Sequence, residues 1–265
     1  MSRKEVAMSK HLRRLILFGA PLFVGILNMF HPVHFEPTGI YEGIHNVVGW
    51  WIILHVLNLF GFALLGLAAY LLIRDQQGMA ATIAKVAIAI FVPTYAGFDS
   101  IIGIGTGILV RYANGVPIDQ LVILDPTINA FWTNNVATIL AILGSVTWGF
   151  GMSLSAVTFT EPKRRTIVLV LGLLAGAVTS WGYSSSMFGT LPWWVVVVLI
   201  GVICLIVARP SWPASLLLLS GILFGTTHVI PYGPLGMACF VTAIALLEFA
   251  PNHAPMTEGI AVTPL

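Results

Sequence analysis

Apolar residues run through this chain in long blocks, and the polar positions between them recur at intervals of about one bilayer crossing. A membrane-spanning helix needs about 20 mostly apolar residues. Eight stretches fit: roughly 14–31, 48–73, 84–110, 130–159, 166–188, 192–208, 214–230 and 234–250. The apolar stretch 214–249 is too long for one crossing, and Pro231, Gly233 and Pro234 break it, a punctuation that marks a turn. A seven-helix alternative makes the last segment re-entrant or interfacial. The pattern predicts an all-α fold, a polytopic integral membrane helical bundle of about eight transmembrane helices. It divides the chain into a basic N-terminus over 1–13, one transmembrane domain over 14–250 and a disordered tail over 251–265.

Composition agrees with that pattern. The chain is 58% hydrophobic and only 8% charged, whereas soluble domains carry about 25% charged residues. No basic stripe with interleaved aromatics occurs, so nucleic acid is excluded as a partner and the bilayer is the expected one. Cys204 and Cys239 both sit in apolar segments, which leaves no disulfide framework and no C-x-x-C motif. Basic residues precede the apolar run Leu15–Phe30, but no small-residue cleavage site follows it, so the run reads as an uncleaved first helix.

Charge placement sets the expected orientation. With the N-terminus inside, the inner segments hold Arg3, Lys4, Lys10, Arg13, Arg14, Arg74, Lys85, Lys163, Arg164, Arg165 and Arg209. The outer loops hold only Arg111. By the positive-inside rule both termini are cytoplasmic, in a plasma (inner) membrane. The outer loops 32–47 and 111–129 are long enough to fold back over the mouth of the bundle, and long loops on one face of a scaffold often carry function. The tight turns G-T-L-P-W-W and Y-G-P-L-G-M occupy equivalent places in two hairpins, a faint internal repeat.

The candidate chemistry lies in the outer half. Ionisable groups in apolar helices are expensive and usually face an interior. His55 lies about 11 Å below the outer end of the second helix, at 1.5 Å per residue, with Asn58 one turn on. Asp99 is the only acid deep within a helix, with Tyr95 one turn before it. His228 lies near the outer end of the seventh helix, at a depth comparable to that of His55. These three residues are the candidate catalytic groups and the candidate metal ligands. His31 and His34, as H-P-V-H, are weaker metal candidates; with Glu36, Glu42 and His45 they read as a solvated rim. Asn134, Asn135 and the run Tyr183–Ser186 suit either a polar cavity or helix–helix hydrogen bonds. Gly103 and Gly107 form a G-x-x-x-G pair inside a membrane helix, a packing device and not a dinucleotide fingerprint.

Four readings follow. A membrane-embedded enzyme would use the three residues to bind zinc or another divalent metal, or as acid and base, on a lipid-like or small apolar substrate. The mix of His and Asp resembles that of seven-helix hydrolases of the alkaline ceramidase and adiponectin receptor type. Those enzymes, however, carry a second His where Tyr232 stands, and membership is not assigned. A haem b protein would ligate iron through His55 and His228. A proton-coupled transporter or channel would use Asp99, with Pro93 breaking its helix. In a structural subunit these groups would be packing devices.

Overall fold

The computed structural model describes residues 8–32, 39–172, 174 and 211–249. All regular structure among them is helical. Helix α1 spans Lys10–Met29 and is capped by Ser9, whose hydroxyl accepts from Leu12 N at 3.2 Å. A short helix α2, Ile40–Ile44, leads through a 3₁₀ turn into α3, Val48–Ile73. Helix α4, Met79–Asp99, continues through a π-helical stretch, Ser100–Gly105, into α5, Thr106–Ala113. Then come α6, Ile118–Trp132, and α7, Asn135–Thr158, which starts on Asn134 as its cap. A helical segment covers 165–172, and α8, Trp212–Thr226, and α9, Tyr232–Phe249, complete the described fold.

Among the described residues, five helical stretches are long and apolar enough to cross a membrane: Lys10–Met29, Ile40–Ile73, Met79–Ala113, Ile118–Thr158 and Tyr232–Phe249. Helix α8 is apolar but shorter, at 15 residues. The expected crossings at 166–188 and 192–208 fall mostly outside the described residues, as do Cys204, Tyr183–Ser186, one half of the faint repeat and the tail 251–265.

Six helices close into a ring. α1 packs on α3, α3 on α4, α4 on α7, α7 on α8, α8 on α9, and α9 returns to α1. The interior is filled by Phe62, Phe91, Trp148, Phe224 and Phe240, all fully buried. Their rings interlock, with Phe91 and Trp148 centroids 4.9 Å apart and Trp148 and Phe224 5.3 Å apart. Without a hydrophobic drive between helices in lipid, such dispersion contacts and small-residue approaches carry the packing. Small residues let the backbones close: Gly221 of α8 meets Gly149 of α7, and Gly25 of α1 meets Met237 of α9.

The start of α1 and the end of α9 share one end of the ring, where Arg13 and Arg14 both pair with Glu248. Arg74 and Lys85 lie at that end, Lys85 Nζ donating to the Arg74 carbonyl at 2.8 Å. Phe159 and Ser211 also meet there, through a 2.9 Å hydrogen bond. Since α1 runs away from this end, α3 returns and α4 runs away again, the histidines and Asp99 collect at the opposite end.

Several boundaries differ from the sequence expectation. Much of the stretch 111–129 is not a loop, because α6 occupies it in spite of Pro126. Residues 40–47 are likewise helical. The third crossing is longer than expected and α4 passes through Pro93; the departure from α-helix comes later, at Ser100–Gly105. The seventh crossing is shorter and ends at Thr226.

Candidate metal centre

Three imidazoles meet at the end of the ring away from the basic residues. His31 follows α1, His55 sits in α3, and His228 sits in the turn between α8 and α9. One ring nitrogen from each lies within 4.8 Å of the others. The His31 ring stands edge-on to both neighbours, its centroid 5.2 Å from that of His55 and 5.2 Å from that of His228. Asp99, at the end of α4, places Oδ1 3.8 Å from His55 Nε2. All four side chains are buried.

Each imidazole is held from behind. His55 Nδ1 lies 2.7 Å from the Trp51 carbonyl one turn earlier, and His31 Nδ1 lies 2.9 Å from the Pro32 carbonyl. A carbonyl only accepts, so in both rings Nδ1 carries the proton and Nε2 presents a lone pair. His228 Nδ1 pairs with the Tyr95 hydroxyl at 2.9 Å. His31 Nε2, His228 Nε2 and both Asp99 oxygens are buried and have no hydrogen-bond partner. Leaving a buried polar atom unpaired costs about 1–3 kcal/mol, so four such atoms side by side are a costly arrangement. Rings oriented through one nitrogen leave the other for a cation, and one ring nitrogen of each of these three lies within 4.8 Å of the others.

The backbone explains why these residues converge. Thr227 leaves the helical region (φ −165°, ψ 147°) and ends α8. Its hydroxyl accepts from Val229 N at 3.2 Å, which tightens the turn and leaves His228 buried inside it. Gly233 backs onto this turn, where any Cβ would collide with the His228 carbonyl. On the other side the π-helical stretch brings Gly103 against His55, and a Cβ there would fall on the imidazole itself. The Gly103 carbonyl also accepts from Trp51 Nε1 at 2.7 Å. π-Helical turns inside α-helices are frequent at functional sites.

A cavity of about 310 Å³ lies over the cluster. Besides the four ionisable side chains, its lining includes Trp51, Tyr95, Phe98, Ile102 and Trp132, with Asn129, Ser145 and Thr227 as uncharged polar groups. Asn129 ties α6 to α2, since its Oδ1 accepts from Ile40 N at 3.1 Å and its Nδ2 donates to Asp125 Oδ1 at 3.3 Å. Gly39, with φ +114°, fits against this amide where no Cβ would.

The three residues singled out in the sequence, His55, Asp99 and His228, are thus together. His228 lies in a turn and not within a helix. His31 does not belong to the solvated rim, because it is 8% exposed and its ring packs against those of both His55 and His228. Its partner in H-P-V-H, His34, falls outside the described residues with Glu36. Glu42 is exposed and His45 half-buried, stacked on Tyr41, so the rim reading holds for them. Gly103 and Gly107 serve close packing, Gly107 lying against Trp51 and Ile52 of α3. Sequence reasoning overlooked the backing role of Trp51 and the clasp made by Asn129. The one available signal was Trp51 standing four residues before His55, one helical turn away.

No family model, curated protein or solved structure matches the chain.

Proposed function

We propose that the chain is a metal-dependent enzyme embedded in the plasma membrane, with both termini cytoplasmic and its centre in the outer half of the bilayer. His31, His55 and His228 would hold zinc, or another divalent cation that accepts imidazole, through Nε2. Three histidines leave a fourth position for water or substrate, the arrangement of catalytic and not structural zinc. The metal would supply Lewis acidity toward water, and Asp99, its Oδ1 3.8 Å from His55 Nε2, would serve as the proton acceptor at the centre. A lipid-like or small apolar molecule in the cavity would be the substrate. The observation that carries this reading is the convergence of three Nδ1-anchored rings beside an unpartnered carboxylate.

Two competing readings lose support. For haem, His55 and His228 would be the two ligands, but the His31 ring lies 5.2 Å from each of theirs, so a third imidazole crowds the pair. For transport, a path must continue past Asp99. Among the described residues, Phe62, Phe91, Trp148 and Phe224 instead fill the ring's interior, and α4 is unbroken at Pro93.

Metal analysis of the purified, detergent-solubilised protein tests the proposal. About one zinc per chain is expected in the native protein, falling at least tenfold in His55→Ala and in His228→Ala. Equal, negligible zinc in all three proteins refutes it.

A further inference from the structure

The cavity over the histidines has a chemical character of its own. Its volume is about 310 Å³. That is the lower end of ligand-pocket sizes, about 300–1,000 Å³. No lysine or arginine lines the cavity among the described residues. A phosphate or carboxylate headgroup would therefore find no cation from the protein, and would meet Asp99. The walls are flat and apolar, from Trp51, Trp132, Phe98 and Ile102, while Ser145 and Thr227 offer only uncharged polar groups.

The surroundings point the same way. Helix α6 packs on α2 and α5 at this end. Its outer face exposes Ile118 at 77%, Val122 at 71% and Ile123 at 73%, with Asp119 and Gln120 beside them. An apolar face flanked by polar groups at the end of a membrane bundle belongs in the interfacial region. Uncharged amphiphiles concentrate there, so such a molecule reaches the cavity from the bilayer.

We infer that the substrate is a small, uncharged, lipophilic carboxylic ester, hydrolysed at the histidine cluster. This rests on the metal reading above. Water adds through its oxygen to the ester carbonyl carbon, and the bond from that carbon to the alkoxy oxygen breaks. One proton of the water passes through Asp99 to the departing alkoxide, and the other stays on the carboxylic acid. The acid and the alcohol are the only products, and no oxidant or reductant is consumed.

The test uses the full chain in lipid nanodiscs, loaded with zinc and freed of excess metal. Phenyl acetate is the neutral probe and phenyl phosphate the charged one, with phenol release followed for both. Zinc content is measured on the same samples. Zinc-dependent release from phenyl acetate and none from phenyl phosphate is expected. Asp99→Asn should keep its zinc and lose about 10²-fold or more of the rate, as general-base removal does. Bound zinc with no phenyl acetate hydrolysis, or with phenyl phosphate preferred, overturns the ester inference and leaves the metal centre standing. Failure to bind zinc overturns the metal reading and this inference with it. An Asp99→Asn variant that retains both zinc and full rate overturns the assigned route of the proton.

Discussion

Replacing Gly103 with alanine should damage the metal centre from outside it. The added Cβ would sit on the Cγ and Cδ2 atoms of His55, closer than non-bonded atoms approach. The backbone cannot yield easily, because Gly103 lies in the π-helical stretch and its carbonyl is tied to Trp51 Nε1 at 2.7 Å. The imidazole must therefore turn away and release its 2.7 Å bond to the Trp51 carbonyl. Overpacking of this kind costs about 1–3 kcal/mol of stability. Loss of the hydrogen bond that orients a ligating histidine typically lowers metal affinity about 10–100-fold. Competition against a chromophoric chelator, with thermal unfolding of the same sample, measures both effects. The control is Gly49→Ala, at the start of α3, the helix that carries His55, where an added Cβ meets nothing within 4 Å. It should bind zinc normally and unfold at the same temperature or slightly higher, since alanine favours helix by about 1 kcal/mol over glycine. A Gly103→Ala protein with native zinc affinity and native stability refutes the argument that this glycine exists to admit His55.

Three further outcomes are expected. Asn28 and Asn58 exchange amide hydrogen bonds at 3.1 and 3.3 Å with both side chains fully buried; Asn28→Leu alone should destabilise by about 1–3 kcal/mol by orphaning the other amide, and adding Asn58→Leu should restore much of the loss, as read by a double-mutant cycle in denaturant. Asn129→Ala should leave Ile40 N–H without its acceptor and loosen α2 from α6, so that hydrogen exchange over 40–44 rises at least about fivefold, about 1 kcal/mol, while exchange in the middle of α3 does not. Glu248→Gln should cost no more than about 1 kcal/mol in thermal unfolding, because its arginine partners are 23% and 50% exposed and such pairs are screened by water and salt.

The membrane character of the fold could be read directly because it rests on composition and segment length, which a single sequence displays. His55 and Asp99 were legible for a related reason: an ionisable group in an apolar run needs an interior partner wherever the helices pack. His31 was not, since Pro32 after it signals a helix exit, and an exit is ordinarily wet. Trp51 and His55 of α3 and the His228 turn pack around that imidazole, and all are contacts between residues far apart in sequence. Helix α6 was hidden by its own punctuation, Pro117 before it and Asp125-Pro126 within it. Tertiary packing on α2 and α5 overrides these local signals. The convergence of His228 depended on one backbone choice at Thr227, which a period-based reading cannot resolve.

The closed ring also bears on how the protein is made. His31, His55 and Asp99 emerge early in synthesis, on the first three long helices, but the third imidazole arrives only after α8. The α1–α9 seam, fastened by Arg13 and Glu248, forms last of all. A nascent or truncated chain therefore holds at most two of the three imidazoles, and a cation would be captured firmly only by a chain that has inserted as far as His228. If the centre binds metal as proposed, metal content would report complete assembly, and a prematurely terminated chain should leave the ribosome without it.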